Sequence, residues 1–339
     1  MCEDSRVYAA ALTRTLEYDA DVAVVAVCAT AREAIAVLPR LKPDIVTMDL
    51  DLPGMDGLKA VEEIMSSCPL PILVLSGHIG DSGGNAAAAA LAAGALDAIA
   101  KDDLDLRDPA SVAGAAFRRR VKLLSRARVI RHLRAGFKVG SAARGLARRS
   151  SVIGVCASTG GPQILARLLQ ALPADYPIPL LIVQHIGTGF TKGLAEWLSQ
   201  SVNLPVAIAA DDARAGPGAW IAPDGAHLKL TASGELRLDR HTIVGRHRPS
   251  GDALFESIAA AAGKTGVAIV LSGMGADGAA GAVSVRDRGG LAIAQDKESS
   301  AVYGMPKAAL DLGISVVLSP AQIAAALLAL IREPLPGQR

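Results

Sequence analysis

Three residues of this chain have types and settings suited to acyl chemistry: Ser158, His185 and Asp277. Ser158 ends the run Ile153-Gly-Val-Cys-Ala-Ser158, and Thr-Gly-Gly-Pro162 follows, a tight turn with proline where a helix begins and its missing N–H costs nothing. His185 ends Pro179-Leu-Leu-Ile-Val-Gln-His185, and the run Gly266-Val-Ala-Ile-Val-Leu-Ser272 breaks into Gly273-Met-Gly-Ala-Asp277-Gly278. A serine hydroxyl is inert at its own pKa, so it needs an imidazole to take its proton and a carboxylate to hold that imidazole. Three buried strands delivering one member each to one sheet edge would meet the need. The glycines around Met274 expose backbone N–H groups suited to a developing oxyanion. Each residue also has a plainer reading: a glycine turn after a strand can cradle a phosphate, a strand-end histidine is often merely hydrogen-bonded, and Gly-x-Asp-Gly is often only a turn. Their coincidence favours catalysis. The chain order Ser, His, Asp matches none of the three familiar hydrolase orders, and Cys156 replaces the first glycine of a G-x-S-x-G elbow, so a different scaffold is predicted.

A second group of polar residues lies in the first half. Strand and helix patterns alternate there: helix 5–18, strand Val22–Val27, helix 31–41, strand 44–49, helix 58–66, strand 71–76, helix 85–93, strand 95–100 and helix 109–124. Such alternation specifies a parallel, doubly wound sheet. Its carboxyl edge should collect Glu3, Asp4, Asp49, Ser76 and Lys101. Clustered carboxylates repel one another, and a Mg²⁺ held by their oxygens would relieve this and attract a phosphoryl group, whose oxygens Lys101 would neutralise. Taken singly, Lys101 reads as a surface lysine and Asp51 and Asp56 as turn formers.

At 339 residues the chain has room for two domains. Residues 117–150 hold twelve Lys and Arg and no acid, so the net charge of +2 conceals an acidic remainder. With few aromatics and no helix-turn-helix pattern, this stretch reads as a solvated linker rather than a nucleic-acid surface. No apolar run approaches the ~20 residues that span a bilayer, no leader opens the chain, and Cys2, Cys28, Cys68 and Cys156 form no C-x-x-C pair. The expected setting is cytoplasmic, with no membrane insertion and no nucleic acid. His227, His241 and His247 lack ligand spacing, Cys156 reads as a small filler, and Arg246, His247 and Arg248 would suit an acidic partner or a solvated loop. Short strands at 206–209, 219–222, 227–231 and 235–238 suggest a hairpin lobe.

Glu3-Asp4-Ser5, Met48-Asp49-Leu50 with Leu52-Pro-Gly-Met-Asp-Gly57, Leu75-Ser76-Gly77 and Lys101 resemble the receiver domain of response regulators over about residues 1–124. The resemblance implies a flavodoxin-like fold, Asp49 as phospho-acceptor, Mg²⁺ on Glu3, Asp4, Asp49 and the Asp51 carbonyl, and Ser76 as the phosphate-sensing hydroxyl. Only two residues precede Glu3, so the first strand is expected to be truncated and the native chain to begin upstream of Met1. From about 148 to 335, Gly154–Pro162, Val183-Gln-His-Ile186, Ile221-Ala-Pro-Asp-Gly225 with His227, Arg248-Pro-Ser250 and Leu271–Gly281 resemble the chemotaxis receptor methylesterase. That resemblance implies hydrolysis of glutamate γ-methyl esters on methyl-accepting chemoreceptors, deamidation of receptor glutamines, and a chemotaxis histidine kinase as phosphodonor. It makes Ser158 the nucleophile, His185 the base, Asp277 its orienter and the Met274 amide an oxyanion donor, with no cofactor in the catalytic domain. The expected architecture is α/β, with a receiver at 1–124, a basic linker at 125–147 and a parallel-sheet hydrolase domain at 148–339. The rival is a non-enzymatic response regulator whose second half binds a partner or nucleotide.

Overall fold

The computed structural model describes residues 1–77, 81–129, 150–245 and 247–331, and of 81–84 only the backbone. Most of the stretch read as a linker, 125–147, and Arg246 lie outside the described residues. The chain forms two compact units, each with a parallel sheet of its own.

In the N-terminal unit the elements follow as α1 (Arg6–Leu16), α2 (Ala31–Leu41), β1 (Val46–Asp49), α3 (Gly57–Ser67), β2 (Ile72–Ser76), α4 (Asp81–Ala92), β3 (Asp97–Ala100) and α5 (Val112–Ser125). The helices begin where short polar side chains accept orphan N–H groups: Ser5 from Tyr8, Thr30 from Glu33, Ser111 from Gly114. Strands β1, β2 and β3 pair in that order, all parallel, with Asp49 opposite Leu75 and Ser76 opposite Ala100. Every residue of the three is buried, as expected of a sheet covered on both faces.

One expectation changes here. The place beside β1 is taken by residues 1–3: Cys2 bridges both Met48 and Cys28, with Cys2 N donating to Thr47 and Asp49 N donating to Cys2. This short segment suffices to bring Glu3 beside Asp49. Val22–Val27, expected as a strand, forms no ladder, because a ladder needs a partner along its length and only residues 1–3 run beside it. Val24 N donates instead to the Glu17 carboxylate, Val25 and Val27 stay more than half exposed, and a cleft of about 850 Å³ lies between 22–26 and 44–47.

The C-terminal unit contains β4 (Val152–Ala157), α6 (Gly161–Gln170), β5 (Leu180–Gln184), α7 (Thr191–Ser201), β6 (Val206–Ile208), β7 (Ala219–Ile221), β8 (His227–Leu230), β9 (Leu236–Asp239), α8 (Gly251–Ala262), β10 (Gly266–Val270), α9 (Ala279–Asp287), β11 (Leu291–Gln295), α10 (Met305–Asp311), β12 (Val316–Leu318) and α11 (Pro320–Ala329). Seven of the strands form one parallel sheet in the order β12-β11-β10-β4-β5-β7-β6. From β4 the chain steps to β5 on one side and later returns as β10 on the other, so β4 lies at a switch point, where a crevice opens at the strands' carboxyl ends. Of the four segments expected in a hairpin lobe, only β8 and β9 form one. β6 and β7 extend the main sheet: Leu180 N donates to Gly218 and Ala222 N to Ile182, which satisfies an edge of β5 that a separate lobe would leave unpaired.

Candidate active site

The three central strands of the C-terminal unit end within one another's reach. Ala157 and Gln184 close the β4–β5 register, and the carbonyl of Ala157 accepts from His185 N at 2.8 Å, so Ser158 and His185 are the next residues on adjacent strands. The buried Gln184 amide pins both, donating to the carbonyls of Ser158 (2.9 Å) and His185 (2.8 Å). On the other side Ser158 N donates to Ser272 at 3.0 Å. Ser272 is wholly buried and ties three loops together: its hydroxyl donates to Thr159, its oxygen accepts from Val302 N, and its own N–H donates to the Gln295 side chain. A Cβ on Gly273 would lie 2.6 Å from the Ser158 Cβ, so only glycine lets this loop pass the serine. The Gly273 N–H is used by Val302, whereas the next amide, Met274, has no acceptor among the described residues.

Asp277 reaches His185 from the β10–α9 loop. Its Oδ2 lies 2.8 Å from His185 Nε2, and both side chains are about 10% exposed. A carboxylate only accepts, so Nε2 carries the proton and Nδ1 is the basic nitrogen. Nδ1 is buried and has no hydrogen-bond partner among the described residues. Burial pushes the Asp277 carboxyl pKa up, but the bond and charge of His185, the Gly251 N–H and the Ser250 hydroxyl outweigh it and hold the group well below the usual carboxylate range. The exposed His247 ring stacks on His185, centroids 4.2 Å apart and planes 16° from parallel. Cys156 is fully buried, and burial together with the nearby Asp277 and Asp252 carboxylates drives its thiol pKa well up, as suits a filler and not a second nucleophile.

In the N-terminal unit the expected acidic edge also forms. Oxygens of Glu3, Asp4 and Asp49 lie within 4.8 Å of one another, with Glu3 and Asp49 buried and Asp4 exposed. Lys101 Nζ is 2.7 Å from both Glu3 Oε2 and Asp49 Oδ2, and lies 4.7 Å from the centroid of the Tyr8 ring. Burial raises the Glu3 pKa against the lowering pull of Lys101. The Lys101 pKa is raised, its bonds to Asp49 and Glu3 overcoming desolvation. Asp51 N donates to Asp49 Oδ1 at 3.0 Å, and Ser76 ends β2 opposite Ala100, the residue before Lys101. The donors are hard oxygens of like charge, a set that fits Mg²⁺.

Both halves of the chain match known families. Residues 153–327 match the CheB methylesterase family and residues 1–107 match the response regulator receiver domain. The chain belongs to the CheB methylesterase family. Relatives include protein-glutamate methylesterase/protein-glutamine glutaminase 2 of Anaeromyxobacter dehalogenans, 41% identical over 92% of this chain and 90% of that one, and enzyme 1 of the same name from Syntrophus aciditrophicus, 37% identical over 98% of both. The crystal structure of the Thermotoga maritima CheB methylesterase catalytic domain matches with a TM-score of 0.51 and 36% identity, over 53% of this chain and 98% of that one.

The sequence pattern points to Ser158, His185, Met274 and Asp277 as a group, and the structure brings their loops together. The pattern missed Gln184, Ser272, Gln295 and Ser250 as supports. Only Ser250 carried a local signal, a helix-capping serine before the apolar run Ala253-Leu-Phe255. The others are polar residues at ordinary strand ends whose partners are remote in sequence.

Proposed function

We propose that the chain is a phosphorylation-regulated protein-glutamate methylesterase that also deamidates receptor glutamines, acting in the cytoplasm on methyl-accepting chemoreceptors. The division is a receiver at 1–124, a linker at 125–147 and a catalytic domain at 148–339. The observation that carries the chemistry is the 2.8 Å contact of Asp277 with His185 Nε2, which leaves a buried Nδ1, without a partner among the described residues, beside the strand end that bears Ser158. Ser158 Oγ attacks the γ-carbonyl carbon of the ester while its proton passes to His185 Nδ1. The oxyanion takes the Met274 N–H. Collapse breaks the carbon–methoxy bond, the Nδ1 proton goes to the departing oxygen, and methanol leaves an acyl-serine. Water then gives a proton to Nδ1 as its oxygen bonds to the acyl carbon, and the same proton returns to Ser158 Oγ as glutamate departs. With a glutamine substrate the leaving group is ammonia. Asp277 remains ionised throughout and stabilises the imidazolium.

Regulation follows from the other cluster. Asp49 receives a phosphoryl group from a chemotaxis histidine kinase, and Glu3, Asp4, Asp49 and the Asp51 carbonyl would hold a Mg²⁺, which neutralises charge on the transferring group. Lys101 and Ser76 then contact the phosphoryl oxygens. The test is methanol release from methylated receptor membranes with and without a small-molecule phosphodonor. Release that is donor-stimulated, and lost in Ser158→Ala, is expected; release by folded Ser158→Ala protein at the wild-type rate overturns the mechanism.

A further inference from the structure

The Asp277 carboxylate is held by more than the imidazole it serves. Ser250 Oγ donates to Oδ1 at 2.7 Å, Gly251 N to Oδ2 at 2.6 Å, and Asp252 N to Oδ1 at 3.2 Å. These donors are the N-cap and the first two residues of α8, a 12-residue helix whose N-terminal N–H groups would otherwise lack partners. The approach is close: a Cβ on Gly251 would stand 2.2 Å from the Cys156 sulfur, so a side chain there would push these amides away from the carboxylate. Ser250 is wholly buried and its hydroxyl oxygen also accepts from Ala253 N at 3.4 Å. Such an oxygen has one proton to give, and it goes to Asp277.

We infer that Ser250, with the N-terminal amides of α8, is a positioning element for the esterase reaction: it fixes the orientation of Asp277, so that His185 presents Nδ1 to Ser158. This element acts through Asp277. The inference rests on the proposed role of the Ser158, His185 and Asp277 group and adds a part to it. Neutral donors suit this task better than an ammonium would. A cation there would compete with His185 for the carboxylate and disfavour the imidazolium that forms during reaction, whereas fixed dipoles orient the carboxylate without adding a full positive charge. Among the described residues, the titratable groups around the carboxylate are His185, with His247 stacked on it, Cys156 and Asp252. Cys156 stays protonated, and the Asp252 carboxylate is occupied by Gly281 N at 2.7 Å.

The experiment compares wild type, Ser250→Ala and Ser250→Gly as full-length proteins in methanol release across pH. Glycine caps a helix nearly as well as serine, so Ser250→Gly deletes the hydroxyl while sparing α8. Both variants should lose roughly 10- to 100-fold in kcat with KM little changed, as misplacement of a group by up to about 1 Å costs. The acid limb of the pH profile should move to higher pH, because a carboxylate stripped of one donor binds a proton more readily. The NMR resonance of the His185 Nε2 proton should shift in the same variants. Wild-type kcat and pH profile in Ser250→Gly would overturn the inference. So would a fall in activity with both the acid limb and the Nε2 resonance unmoved, which would make Ser250 only a helix cap. Absence of methanol release from wild type would instead overturn the proposed function.

Discussion

The two units each gather carboxylates at the carboxyl edge of a parallel sheet and neutralise them by opposite means. In the N-terminal unit Glu3 and Asp49 share one ammonium, Lys101, on a flexible stem. In the C-terminal unit Asp277 faces a histidine, a hydroxyl and two backbone amides, all held by the fold. A movable cation can give way to another cation and a phosphoryl group, as the proposed phosphorylation requires. Fixed dipoles cannot leave, and the second site is built to stay the same while charge develops beside it. Burial acts on both, but Glu3 ends with a raised pKa, the neighbouring Asp49 carboxylate adding to burial, and Asp277 with a lowered one, because His185, the Gly251 N–H and the Ser250 hydroxyl all favour its charged form.

Breaking the fixed site should have the largest effect. Ser158→Ala or His185→Ala should lower methanol release by about 10⁶-fold, and Asp277→Asn by about 10⁴-fold, since members of such a group act as a unit and the orienter alone costs less. Steady-state assays on folded variants check this, and an Asp277→Asn loss as large as that of Ser158→Ala would deny the distinction. Gly273→Ala drives a Cβ toward Ser158 and toward the Met305 sulfur; it should cost about 100-fold in kcat and about 1–3 kcal/mol in stability of the catalytic unit by denaturant unfolding.

Perturbing the exchangeable site should change control and not chemistry. Asp49→Asn should keep basal esterase activity and lose all stimulation by a phosphodonor. Lys101→Ala should destabilise the N-terminal unit by about 2 kcal/mol in chelator, because two buried carboxylates lose their counter-charge, and millimolar Mg²⁺ should restore most of that. If Mg²⁺ does not, the ammonium is structural and not a stand-in.

The smallest effect concerns acid stability. The folded-state pKa of Asp277 is depressed, so its contribution is present above its unfolded value near pH 4 and is lost as pH falls through the lower folded value. Acid unfolding of the catalytic unit should therefore begin below about pH 4 in wild type and shift slightly upward in Ser250→Ala. An unchanged acid midpoint would mean that Ser250 adds nothing to the depression.

Much of this arrangement was legible in the sequence because it is carried by strand ends. A buried parallel strand is a short apolar run, and its last residue is the first free to be polar, so Ser158, His185, Asp49 and Ser76 announced themselves by position. Sequence also set the α/β class through the alternation of the two periods. It could not set pairing. Val22–Val27 is a strand by composition and forms no ladder, since a ladder depends on the length of a neighbour. The segments at 206–208 and 219–221 joined the main sheet and not the hairpin, since an open edge of β5 was there to be satisfied. Nor could sequence say which imidazole nitrogen meets Asp277, or that Ser250 and α8 would seat that carboxylate from 27 residues away. Those choices are made by contacts between remote residues, where packing and the need to pair every buried donor decide among partners that local pattern leaves equivalent.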